Sequence, residues 1–98
     1  MAADDPFPGS IRRRVVVTGR VQGVYFRDSC REQAELHGVS GFVRNRPDGS
    51  VEAAFEGPPS SVAAMISWCH SGPPRAFVES VVSEDEAPVG ERRFAVRG

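Results

Sequence analysis

Residues 19–27 read Gly-Arg-Val-Gln-Gly-Val-Tyr-Phe-Arg, a loop with two glycines four apart that opens into a helical pattern. The first N–H groups of a helix have no intrahelical acceptor. A glycine-bounded loop entering one aims several unpaired N–H groups the same way, a geometry that binds anions and phosphate above all. Arg27 stands in the first helical turn, where the positive end of the helix dipole disfavours a cation. The placement makes better sense with an anion between the guanidinium and the amides, and the planar fork of arginine can hold two phosphoryl oxygens at once. On this segment alone a second reading stays open: a tight turn followed by a solvated surface arginine. It is neither a Walker loop nor a dinucleotide fingerprint, since it lacks the Lys-Ser/Thr pair and the third glycine.

Asn45 follows Val43 by two residues, so both point to the same sheet face, and if that face is the core then Asn45 is a polar residue at its edge in need of partners. It also stands just before Arg46-Pro47-Asp48-Gly49, where an asparagine can simply prepare a turn. The remaining chemistry-bearing residues are dispersed. His37 and His70 close two helical patterns, where the dipole favours them, and Trp68 is expected to pack. Cys30 and Cys69 form no CxxC pair and fall on apolar helical positions, as small core hydrophobes do. No Ser/His/Asp set, HExxH or paired-carboxylate motif occurs, and His37, His70, Cys30 and Cys69 make no metal-ligand set.

Several elements must position these residues. Arg12 to Thr18, with its Val15-Val16-Val17 run, predicts a strand ending at Gly19. Phe26, Cys30, Ala34 and His37 form one stripe of a helix from about Val24 to His37, with Gly38 as its C-terminal stop. Gly41–Asn45, the Pro-Asp-Gly turn and Ser50–Glu56 predict a hairpin. Val62, Met65, Ile66 and Cys69 mark a second helix, capped by Ser60 or Ser61 and closed by Gly72-Pro73-Pro74. Ala76 to Ser83 predicts a strand with Phe77 and Val81 on one face and Val78 and Val82 on the other. Glu84–Pro88 is expected as a solvated loop and Arg92–Arg97 as a short last strand. The order β-α-β-β-α-β-β, with two amphipathic helices needing one sheet face to cover, is the α+β ferredoxin-like split β-α-β sandwich: an antiparallel sheet, both helices on one face, and an extra C-terminal strand.

The chain has 98 residues and a net charge of −1, with 40% hydrophobic and 26% charged residues. One domain, 11–98, is expected, with residues 1–10 as a disordered lead-in. There is no long apolar run, and the acidic N-terminus lacks a secretory pattern, so a cytoplasmic location with no membrane contact is expected. The charge balance argues against a nucleic-acid partner. All twelve basic residues are arginine, a bias that GC-rich coding explains without invoking function.

Together, residues 19–27 and the run 41–57, Gly-Phe-Val-Arg-Asn-Arg-Pro-Asp-Gly-Ser-Val-Glu-Ala-Ala-Phe-Glu-Gly, resemble the two signatures of the acylphosphatase family. The resemblance spans residues 12–97 and includes Gly72-Pro73-Pro74, Ala76 and Val78. It implies an enzyme that hydrolyses acyl phosphates to a carboxylate and inorganic phosphate, as a monomer without metal or cofactor. It further implies that the backbone amides of Val21, Gln22, Gly23, Val24, Tyr25 and Phe26 cradle the phosphoryl group, that Arg27 clamps it, and that Asn45 holds the attacking water. A catalytically idle binding module of the same fold is the alternative, because fold does not fix activity. An RNA-binding β-α-β-β-α-β domain is a third reading, opposed by the absence of a basic-aromatic pattern in residues 50–56.

Overall fold

A computed structural model describes residues 9–98, so the expected lead-in falls almost entirely outside the described residues. The elements are β1 (Ile11–Arg20), α1 (Phe26–His37), β2 (Ser40–Asn45), β3 (Val51–Gly57), α2 (Pro59–Cys69), β4 (Phe77–Glu86) and β5 (Phe94–Arg97). The strands form one open sheet in the order β4-β1-β3-β2-β5. β1 and β2 run parallel with β3 antiparallel between them, and α1 makes the crossover. This is the expected split β-α-β arrangement.

Both helices lie on one face. Phe26, Cys30 and Ala34 of α1 and Val62, Met65 and Cys69 of α2 are buried against Val15, Val17, Val43, Val51, Ala53 and Phe55. Each fully buried Val, Phe or Met side chain among them contributes about 1.5–3 kcal/mol. Phe26 and Trp68 lock α1 to α2 with ring centroids 5.1 Å apart, and Phe55 stacks on Phe94. Trp68 therefore packs, as expected. Both cysteines are free and buried. Burial pushes the Cys69 thiol up to about 12; burial first, and then neighbouring Cys69, raise that of Cys30. Thiols held protonated in this way behave as core hydrophobes.

The structure departs from the sequence expectations at four places. First, Glu84 to Glu86 are not a loop. They extend β4 alongside Arg14, Arg13 and Arg12 of β1, and Glu86 pairs with both Arg12 (3.0 Å) and Arg14 (2.6 Å). Second, β4 presents Val78 and Val81 to the core and leaves Phe77 and Val82 exposed. Its register runs Thr18↔Ser80 and then Gly19↔Val78, so Glu79 is an extra residue that shifts the alternation by one. Gly19 makes room for this bulge: a Cβ there would lie 2.2 Å from the Phe77 carbonyl oxygen. Third, α2 begins at Pro59 with Pro58 as its cap residue and no side-chain cap; proline pre-set at the first helical position starts the helix before Ser60 or Ser61 can cap it.

Fourth, the sheet is mixed rather than wholly antiparallel, because β5 pairs parallel to β2. The chain between β4 and β5 joins opposite edges of the sheet along one end. β4 stops at Glu86 beside Arg12, where β1 begins, and β5 starts at Phe94 beside Gly41, where β2 begins. β5 therefore runs antiparallel to β4 and in the direction of β2. The Glu56 carboxylate on β3 grips this connection on the outer face, accepting from the N–H groups of Val89 (3.0 Å), Gly90 (2.8 Å) and Glu91 (3.2 Å) and from Arg12 (3.1 Å). Arg14 and Arg44 hold Glu52 beside it.

Burial alone would raise the Glu56 carboxyl, but the Val89 and Gly90 amides and Arg12 outweigh it and hold it below its ordinary value of 4.5. Glu86 behaves likewise, burial opposing Arg12 and Arg14 and the arginines prevailing. Because both folded values lie below the unfolded one, the stabilisation is complete above that value and is lost as pH falls through the lowered values. Thermal melts at descending pH are therefore expected to show Tm falling from about pH 5 downward. Glu56→Gln should start lower and fall less steeply. A Tm indifferent to acid down to about pH 3 contradicts this account.

Candidate active site

The loop between β1 and α1 alternates in backbone hand. Gly23 has φ 74° and Tyr25 φ 66°, the only positive φ outside glycine among the described residues, with Val24 between them on the ordinary side. Such alternation bends successive N–H groups toward one concave point, an anion-binding nest. Among the described residues, the N–H groups of Gln22, Gly23, Val24 and Tyr25 meet no protein acceptor. α1 then begins at Phe26, two residues later than its apolar periodicity suggests, with no side chain capping its N-terminus. Left-handed backbone at a tyrosine costs on the order of 1–2 kcal/mol. The flanking residues hold it in place: Val24 and Phe26 are buried, while the Tyr25 ring is 67% exposed.

Beside this nest lies a cleft of about 360 Å³, lined by Val21, Gly23, Tyr25, Phe26, Arg27, Asp28 and Asn45. The fold thus brings together six of the eight residues singled out from sequence. Gln22 and Val24 do not line it: Val24 is turned into the core, and the Gln22 side chain is engaged elsewhere. Arg27, half-buried, reaches from α1 to donate through Nη1 to the Arg97 carbonyl of β5 at 3.0 Å. That leaves the rest of its fork uncommitted. Asn45 is the last residue of β2, on the helix-facing side with Val43, and faces the loop across the cleft. His37, His70 and the cysteines do not line the cleft, and no three His, Cys, Asp or Glu side chains among the described residues group closely enough to hold a metal ion.

The acylphosphatase family model matches residues 13–96. The chain belongs to the acylphosphatase family. It is 61% identical over 87 residues to an acylphosphatase of Rubrobacter xylanophilus, covering 88% of this chain and 79% of that one. It is 53% identical to one of Gloeobacter violaceus, covering 89% and 94%. Among solved structures, an acylphosphatase from Coxiella burnetii superposes with a TM-score of 0.88 at 36% identity, covering 92% and 95%.

Two acylphosphatase site features escape the sequence reading. Asp28 lines the cleft one residue after Arg27; an acid in a first helical turn is so ordinary a response to the dipole that it carries no signal of a cleft. The second is the side chain of Gln22. Its Nε2 donates to the carbonyls of Arg46 (2.7 Å) and Ser50 (2.9 Å). Those carbonyls already accept from Gly49 and Arg46 within the β2–β3 turn, and Asp48 closes the turn further by accepting from the Ser50 N–H and hydroxyl. One amide therefore ties the anion-binding loop to the turn that follows Asn45.

Removing both bonds in Gln22→Ala is expected to destabilise the fold by about 1–3 kcal/mol. Gln22→Glu should do no better, because a carboxylate has no N–H to offer two carbonyls. Urea denaturation of the three proteins checks this; a Gln22→Glu variant as stable as the parent contradicts the clip.

Proposed function

We propose that the chain hydrolyses acyl phosphates by in-line attack of water on phosphorus, releasing a carboxylate and inorganic phosphate. The observation that carries this reading is the meeting, in one cleft, of a nest of unpaired N–H groups, Arg27 and Asn45. The backbone amides of Val21, Gln22, Gly23, Val24, Tyr25 and Phe26 take the phosphoryl oxygens. Arg27, steadied through one nitrogen by Arg97, neutralises charge on the same group with the rest of its fork. Asn45 carries no charge to attract an anion, but its amide both accepts and donates, which suits it to fixing a water opposite the leaving group. A carboxylate departs without needing a proton. Positioning and charge stabilisation then suffice for the rate, and neither a general acid nor a metal has to act.

Relatives at 49–61% identity that bear the name acylphosphatase weigh against an idle module. The outer face of the central strand β3 weighs against RNA binding: it carries Glu52 and Glu56, already paired with arginines, where bases would need aromatic platforms. No helix among the described residues is long and apolar enough to cross a membrane. We extend the proposal to a monomer in the cytoplasm. Residues of one chain line the cleft, and two free thiols suit a reducing compartment.

Phosphate release from a simple acyl phosphate by the purified protein, in the presence of a chelator, tests the reading. No turnover, or turnover restored only by a divalent cation, overturns it. Arg27→Ala should abolish both turnover and competitive inhibition by inorganic phosphate, and Arg27→Lys should recover little of either. Asn45→Ala should keep phosphate inhibition within a few-fold while kcat falls on the order of 10²–10³. If that variant instead melts earlier and turns over normally, Asn45 serves the turn and not the water.

A further inference from the structure

The phosphoryl group of an acyl phosphate has free oxygens on its equator and one bridging oxygen that leads to the acyl group. The nest and Arg27 take the free oxygens and Asn45 takes the water. The acyl group must then lie against the side chains of the cleft that remain. Of the seven residues that line it, Val21 and Phe26 are sunk in the core, and Gly23 has no side chain. Two are left, the ring of Tyr25 and the carboxylate of Asp28, and both are exposed.

Each is particular in its setting. Tyr25 has φ 66°, a conformation that glycine adopts freely and a tyrosine only at a cost. The ring recovers nothing from the core in return, since it stays exposed, and backbone strain of this kind gathers where it serves a site. Only Cα and Cβ separate that ring from an N–H of the nest, so a phosphoryl group held there brings its substituent up to the ring. Asp28 follows Arg27 directly, yet it pairs with no arginine among the described residues. The helix dipole accommodates an acid at that position. An uncompensated carboxylate inside an anion-binding cleft nevertheless opposes any further negative charge that enters.

We propose that Tyr25 and Asp28 form the acyl subsite and set its preference. The Tyr25 ring is a platform for a flat, apolar acyl group, and the Asp28 carboxylate turns away acyl groups that carry negative charge. This rests on the reading of the cleft as the site of acyl-phosphate hydrolysis. A ring stacked in offset on a solvated tyrosine gains modestly, and repulsion between charges in an open cleft is modest and screened by salt. The subsite therefore grades substrates and does not exclude them.

Benzoyl, acetyl and para-carboxybenzoyl phosphate test the two halves separately. Ratios of kcat/KM are the readout, so that a general loss of activity cancels. Relative to the parent, Tyr25→Asn should lower the benzoyl-to-acetyl ratio roughly fivefold, chiefly through KM. Asparagine tolerates left-handed backbone, so the loop keeps its shape. Tyr25→Phe should hold the parent ratio, because it keeps the ring. Asp28→Asn should raise the para-carboxybenzoyl-to-benzoyl ratio about two- to threefold at low salt, and the gain should shrink as salt is added. Phe77→Ser, which removes an exposed aromatic ring outside the cleft, should leave both ratios as they are. A benzoyl-to-acetyl ratio unmoved by Tyr25→Asn, lowered as much by Tyr25→Phe, or moved equally by Phe77→Ser overturns the platform. A para-carboxybenzoyl ratio unmoved by Asp28→Asn overturns the charge selection. Turnover of none of the three substrates by the parent would instead overturn the hydrolytic reading itself, so the failures are distinguishable.

Discussion

A loop that keeps four successive N–H groups free of acceptors among the described residues has to be held in shape by something other than its own backbone hydrogen bonds, and the rest of this structure meets that constraint. An unpaired amide is a cost to the folded protein. The nest at Gln22–Tyr25 bears that cost together with the left-handed tyrosine that ends it. What holds it is side-chain anchorage on both flanks: Val21, Val24 and Phe26 sink into the core, and the Gln22 amide reaches sideways to two carbonyls of the β2–β3 turn. The amides are thereby aligned before any ligand arrives. That is the condition for electrostatic stabilisation without reorganisation at the moment of reaction.

The order of the strands explains why two distant segments can share a site. β1 and β2 are parallel with β3 between them, so β1 delivers the nest at the same end of the sheet where β2 delivers Asn45. α1 crosses between them and presents Arg27 from its first turn. The final strand then closes the arrangement from the other side, since Arg97 takes a hydrogen bond from Arg27. β5 can do this only because it is parallel to β2 and ends where β2 ends. That orientation depends on the β4–β5 connection, which Glu56 clamps on the opposite face. A carboxylate on the outer surface and a guanidinium in the cleft are in this sense parts of one frame.

Much of this was legible in the residues, and what was not has physical reasons. The elements and their order follow from apolar periodicity, and Gly38 ends α1 in the left-handed conformation the sequence suggests, with φ 68°. Local pattern misled where the deciding partner lay far away in sequence. Glu84-Asp85-Glu86 looks like a solvated loop until Arg12 to Arg14 lie beside it. The facing of Phe77 and Val78 depends on one unpaired residue, Glu79, whose presence only the neighbouring strand can reveal. In the site, the backbone nest and Arg27 were visible as a motif. The work of the Gln22 side chain was not, because its acceptors at Arg46 and Ser50 are 24 and 28 residues away and are main-chain groups that every residue possesses.

The chain uses one residue type in two settings, and burial separates them. On the outer sheet face, the Arg12 side chain is only 7% exposed and is surrounded by Glu56, Glu86 and Glu91. Removing Arg12 would strand the buried Glu56 carboxylate, so this arginine is bound to the fold. Arg31, Arg92 and Arg93 are solvated at the surface and pair with no carboxylate among the described residues. Lysine would serve in the solvated setting but not in the first, where one planar group must meet two or three carboxylates in a fixed plane. A composition without lysine therefore costs the frame nothing.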